Sequence, residues 1–311
     1  MLWLFVLLFP LSLQAQEVLL GLQKPLALHN AARAIAAKSP ELWIGRGDGR
    51  AIVYRYDTGR VYVREIANGY INSIRWDQDK LTVLTQQGLF VESEPFPDYS
   101  SRISALGCYP YQASDVAIAD RVYIACEYAG VFSLDPDARL TSGVACEDKP
   151  MIAKSIRVLG DKILVADSGC LNIWQYSNAR WSYFSGYRYM YSQIPNTCPE
   201  NWIGTPVTRL PLPVSAISVY DNRVYTVGGS YGLVTEIVDG VIARSWCLDK
   251  QAQIDYSSAV IEATRDVIFV AVPKAGALIS IGRATPPAPI PSGQQTWCSF
   301  GKAITQIFCR H

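Results

Sequence analysis

The chain has 311 residues, half of them apolar and 18% charged, which excludes a disordered or acidic-tail protein. Lys and Arg number 28 against 27 Asp and Glu, a net charge of +1 and too flat a balance for general nucleic-acid binding, which draws on a basic excess. Histidine occurs only twice, so chemistry built on a histidine cluster has little to work with.

The first predicted element is an apolar run over residues 2–13. It is too short to cross ~30 Å of hydrocarbon, which takes ~20 residues. Its length suits the core of a secretory signal peptide with Ala15 before the cut, so residues 1–16 are expected to direct export. No later stretch reaches the ~18 apolar residues of a membrane span, and none is expected.

The body of the chain repeats. Short β-rich runs occupy residues 41–45, 80–84, 121–125, 162–166, 223–227 and 267–271, with starts separated by 39, 41, 41, 61 and 44 residues. Each is preceded by another strand-like run and a polar turn, such as Gly160-Asp161 or Asp221-Asn222, whose residues tolerate tight-turn dihedrals. Each is followed by a glycine that opens a third strand. A period of ~40–45 residues built of strands is the mark of a β-propeller blade, which must stack on its neighbours to bury both faces of a small sheet. The expected fold is therefore all-β, a six-bladed β-propeller with four-stranded blades over residues 17–283. Residues 17–33 are expected to supply the strand that closes the ring. Residues 284–311 begin with a proline-rich linker and end in a tail expected to be pinned by a disulfide.

Asp115 to Leu134 resembles the repeat unit of secreted LVIVD- and NHL-type propellers, and residues 155–176 resemble it through Lys162 to Asp167. The resemblance implies architecture only, because these families hold enzymes and binding modules alike.

The cysteines are Cys108, Cys126, Cys146, Cys170, Cys198, Cys247, Cys298 and Cys309. None forms a C-x-x-C pair, so neither a metal site nor a redox motif is expected. An even number behind a signal peptide reads as disulfides, with connectivity left open.

Several motifs suggest chemistry. Gly228 to Gly232 matches G-x-S-x-G, but it lies between two strands and not between a strand and a helix, so a hairpin turn is expected. Arg46-Gly47-Asp48 resembles an integrin-recognition loop at the corresponding turn of the first blade. Asp77, Asp79, Asp120, Asp161 and Asp221 recur at the turns of successive blades and are expected to ring the periphery as turn residues, too dispersed for calcium.

Residues just before each innermost strand should face the central axis at one end. These are Arg33, Asn72, Asp115, Lys154, Ser215 and Ser257, a polar set suited to a small polar or anionic ligand. No cofactor is expected. The one long gap, in the fourth blade, is rich in aromatics: eight of the eighteen residues from Trp174 to Tyr191. Trp181, Tyr183, Phe184, Tyr187, Arg188, Tyr189 and Tyr191 form a candidate binding surface, since exposed Tyr, Trp and Arg anchor interfaces at little entropic cost. The functional expectation is a secreted, extracellular or periplasmic binding or adhesion module that recognises a protein or glycan through this insertion. The alternative is a propeller enzyme of lactonase, esterase or lyase type, working at the channel mouth through Asp115, Lys154 and Asn72.

Overall fold

The computed structural model describes residues 34–67, 69–77, 79–134, 137–139, 152–167, 170–177, 180–189, 209–210, 214–249 and 254–283. The expected signal peptide, Arg33, Tyr191, the linker and tail, and Cys146, Cys198, Cys298 and Cys309 lie outside them.

The described residues form six sheets in chain order. The first holds β1 (Ala34–Lys38), β2 (Glu41–Gly45), β3 (Arg50–Arg55) and β4 (Arg60–Glu65). The second holds β5 (Ile71–Asp77), β6 (Lys80–Thr85), β7 (Leu89–Val91) and β8 (Glu94–Pro95). A short helix, α1 (Tyr99–Ala105), leads to the third: β9 (Ala113–Ile118), β10 (Val122–Cys126), β11 (Gly130–Leu134) and β12 (Asp137–Arg139). The fourth holds β13 (Ala153–Leu159), β14 (Lys162–Asp167), β15 (Cys170–Ser177), β16 (Arg180–Tyr189) and β17 (Arg209–Leu210). The fifth holds β18 (Ala216–Tyr220), β19 (Arg223–Gly228), β20 (Leu233–Val238) and β21 (Val241–Cys247). The sixth holds β22 (Val260–Ala263), β23 (Val267–Val272) and β24 (Ala277–Gly282).

Each sheet is an antiparallel meander, with β17 added in parallel at the edge of the fourth. The fourth sheet departs from the expected four strands with five; the sixth shows three among the described residues, and residues 17–33, expected to supply the strand that closes the ring, lie outside them. The tight turns follow from sequence. Asp221 and Asn222 both adopt positive φ (51° and 56°), as do Asp239 and Gly240 (49° and 78°), which matches the right-handed twist of the flanking strands.

The first strands of successive sheets pack side by side: β1 on β5, β5 on β9, β9 on β13, β13 on β18, β18 on β22, and β22 on β1. Six apolar cores lie between successive sheets. Trp43 and Val53 meet Ile74 and Val83 between the first and second sheets. Ile44 and Tyr54 meet Phe269 and Ala271 between the first and sixth. Because a middle strand is covered on both faces, β10 and β14 read as continuous buried apolar runs and not as alternating ones. This is the architecture of a β-propeller. α1 buries Tyr99 and Ile103 against the core between the second and third sheets. No helix among the described residues is long and apolar enough to cross a membrane.

One disulfide, Cys108–Cys126, ties the segment after α1 to the end of β10. Cys170 and Cys247 are disulfide-bonded as well.

Candidate functional site

Three innermost strands carry an extra residue near their start. The register of β5 against β6 jumps from Ile71 to Ser73. That of β9 against β10 jumps from Ala113 to Asp115, and that of β13 against β14 from Ala153 to Ser155. The skipped residues are Asn72, Ser114 and Lys154. A bulge re-aims the inserted side chain, and here all three line one cavity of about 280 Å³ at the end of the axis. Ser215, Ser257 and Ser258 line it from the fifth and sixth sheets, and Tyr111, Gln112 and Glu127 from the third. Four of the six residues expected at the mouth (Asn72, Lys154, Ser215 and Ser257) therefore share this lining.

Asp115 does not occupy the mouth position expected for it. The bulge gives that place to Ser114 and sets Asp115 one layer deeper, beside Ser73 and Ser155 around a smaller cavity of about 50 Å³. There its carboxylate is fully engaged. Oδ1 accepts hydrogen bonds from Ser73 Oγ at 2.5 Å, Val116 N at 2.9 Å and Arg75 Nη2 at 3.0 Å. Oδ2 accepts from Arg75 Nη2 and Arg157 Nη1, both at 2.8 Å, from Ile156 N at 2.9 Å and from Ser155 Oγ at 3.0 Å. Burial pushes this carboxyl up, but the two guanidiniums and the hydrogen bonds more than offset it and hold it well below the usual carboxylate range.

The layer beneath holds the cations. Strand alternation sets Arg75 two residues past Ser73 and Arg157 two past Ser155, on the same face. Arg75 Nη1 also lies 3.5 Å from Glu262 Oε2 on β22, and Ser218 Oγ of β18 lies 3.4 Å from the same oxygen. Burial and the neighbouring Arg75 push Arg157 down to about 10, still a cation at neutral pH. Burial raises the Glu262 carboxyl against the pull of both arginines. Two residues past Arg75, Asp77 is pushed up to about 6 by burial, with Arg75 and Arg157 only partly offsetting it. Its Oδ2 is buried with no hydrogen-bond partner. Asp77 is therefore not the peripheral turn residue that the sequence suggested, because its place in β5 turns it inward.

The axis is thus plugged below the mouth by a cluster of charges drawn from the second, third, fourth and sixth sheets. Arg75, Arg157 and Glu262 were missed in sequence, although Ser-Ile-Arg recurs at 73–75 and 155–157. A charged residue repeated within an otherwise apolar innermost strand was the available signal.

The remaining motifs have plain structural roles. Gly228 to Gly232 joins β19 to β20 as a turn, and a side chain at Gly232 would strike the Tyr256 ring at 2.5 Å. In Arg46-Gly47-Asp48 the arginine folds back onto its own aspartate, Nη2 to Oδ2 2.9 Å, and is not presented to a partner. The aromatic-rich segment runs as the ten-residue strand β16, so the residues from Trp181 to Tyr189 lie on the outer part of the fourth sheet. No metal-binding cluster of His, Cys, Asp and Glu occurs among the described residues.

No protein-family model matches the chain, and no curated protein matches it by sequence. Solved structures do resemble it. One is an auxiliary nutrient binding protein from Bacteroides thetaiotaomicron, with a TM-score of 0.54 at 10% identity, covering 81% of this chain and 69% of that one. Another is the β-propeller domain of Cps50 (Swd1) from Myceliophteria thermophila, with a TM-score of 0.46 at 10% identity, covering 79% and 81%. BamB from Moraxella catarrhalis gives 0.43 at 13% identity, covering 80% and 83%. At such identities the likeness is one of fold alone.

Proposed function

We propose that the six sheets are the blades of one closed six-bladed propeller, exported through residues 1–16 and further stapled by disulfides. In this reading it acts outside the cytoplasm as a binding module for a protein or glycan. The observation that carries the reading is the cavity at the end of the axis. It is floored by the charge cluster around Asp115, and two of its lining side chains, Lys154 and Glu127, have no partner among the described residues. Convergent polar groups left free in a preformed hollow are the usual makings of a ligand site. The ring of cores between successive sheets supports the closed form, and the named nutrient-binding neighbour is compatible with a binding role.

The lengthened outer strand of the fourth sheet favours a second contact surface. Trp181, Tyr183, Phe184, Tyr187, Arg188 and Tyr189 would there meet the bulk of a larger partner. The enzyme alternative is weakened by Asp115, whose lone pairs are taken up by arginines, serines and backbone amides, so the carboxylate assigned to it is not free to act as a base.

Capture of the purified chain on glycan and extracellular-protein arrays tests the reading. Lys154→Met, or joint alanine replacement of Tyr187, Arg188 and Tyr189, should weaken capture about tenfold or more with an unchanged melting temperature. Full capture by both variants would sink it.

A further inference from the structure

We propose that the axial cavity binds a single neutral saccharide ring, with Tyr111 as its stacking platform and Lys154 and Glu127 gripping its hydroxyls. This deepens the reading of the mouth as a ligand site and rests on it. Three independent observations point to the ligand class.

The first is the aromatic rim. Tyr109 and Tyr111 are 53% and 64% exposed, although both rings are large and partly apolar. They stack face to face, centroids 5.6 Å apart and planes within 5°. The stack leaves Tyr111 at the cavity with its ring already ordered. The segment carrying it is fixed at one end by the Cys108–Cys126 disulfide and at the other by Asn72 Nδ2, which donates to Ala113 O at 2.9 Å. A rigid aromatic face offers contact area with little rotamer entropy left to lose.

The second is the charge pair. Lys154 supplies donors only and Glu127 acceptors only, and neither is paired among the described residues. A free anion would gain from the first and be repelled by the second. Sugar hydroxyls both donate and accept, so vicinal hydroxyls satisfy both groups at once. The buried Ser258 Oγ, which has no hydrogen-bond partner, adds a third polar group in the lining.

The third is size. At about 280 Å³ the cavity sits at the small end of the range for ligand pockets, roughly 300–1,000 Å³. That is room for one ring, free or at the end of a chain. A zwitterionic amino acid would also answer the charge pair, but an aliphatic or acidic one has no flat apolar face for Tyr111.

Isothermal titration of the full chain separates these cases. The probes are glucose, galactose, mannose and N-acetylglucosamine, their disaccharides, the matching uronic acids, and glycine and glutamate. The expected result is that at least one neutral sugar binds. Tyr111→Ala and Lys154→Met should each weaken it about tenfold, the size of one lost contact of this kind. Tyr128→Ala, an exposed tyrosine outside the lining, should leave it unchanged. The uronic acid should bind no more tightly than its neutral parent, because Glu127 offsets what Lys154 offers a carboxylate. Binding of amino acids that needs Lys154 but not Tyr111 would overturn the saccharide assignment while leaving the mouth a ligand site. No titration with any probe, alongside array capture that is lost in the fourth-sheet variant alone, would overturn both.

Discussion

Asp77 is the residue most clearly held against its ordinary chemistry. A carboxyl with a folded pKa of about 6, against roughly 4 in the unfolded chain, binds its proton more tightly when folded. Its contribution to stability is therefore fully present below about pH 4 and is lost as pH rises through about 6. Two units correspond to at most about 3 kcal/mol. Asp77→Asn should be more stable than the parent at pH 8 by up to that amount, with the difference vanishing near pH 4. Urea unfolding of both proteins across that range measures it, and equal stabilities at pH 8 would refute the assignment. At Asp115 the sign is opposite: its carboxyl is depressed, so it stabilises above the unfolded pKa and fails as acid approaches its folded value. Two carboxylates only two layers apart on the axis thus respond to pH in opposite senses. One faces both guanidiniums at hydrogen-bond distance, and the other keeps a buried oxygen without a partner.

Among the elements, the bulges matter most for the site. Without the extra residue in β5, β9 and β13, strict alternation would not aim Asn72, Ser114 and Lys154 together at the mouth. The disulfide is the second device, closing a separation of 18 residues that spans the Tyr109–Tyr111 segment. Replacing Cys108 and Cys126 together by serine should cost roughly 3 kcal/mol on the chain-entropy account, measured by denaturant midpoint, and should loosen the aromatic rim. On the outer strand β4, Val61 and Val63 are exposed, but Arg60 on one side and Arg64 and Glu65 on the other flank them and discourage edge-to-edge pairing. Much of this architecture was legible because β-branched runs and Asp, Asn or Gly turns recur with nearly constant period. The bulges were not, since one inserted residue leaves the period within its natural scatter while exchanging the roles of Ser114 and Asp115. The extra length of the fourth repeat was legible as an anomaly, but its use as a long outer strand with a parallel neighbour depends on pairing that a single segment does not encode.

In the whole molecule, the charge cluster sets the axis apart from the cores around it. Each apolar core joins a sheet to its immediate neighbours, but Asp115 joins the second, third and fourth sheets, and Arg75 carries the connection on to the sixth. Asp115→Ala would leave two buried guanidiniums without their shared acceptor. The expected loss is about 3–5 kcal/mol, with the calorimetric transition lower and broader than the single sharp one expected of the parent. An unchanged transition would contradict the central role given to Asp115. A row of repeats that touch only their neighbours can fray from either end, one unit at a time. In the closed propeller proposed above, Arg75 would meet Glu262 only once the last sheet had come round to the first. The ions would then work as a keystone: they would bear no load until the arch was complete, and afterwards no stone could slip out without stranding a charge in those that remain.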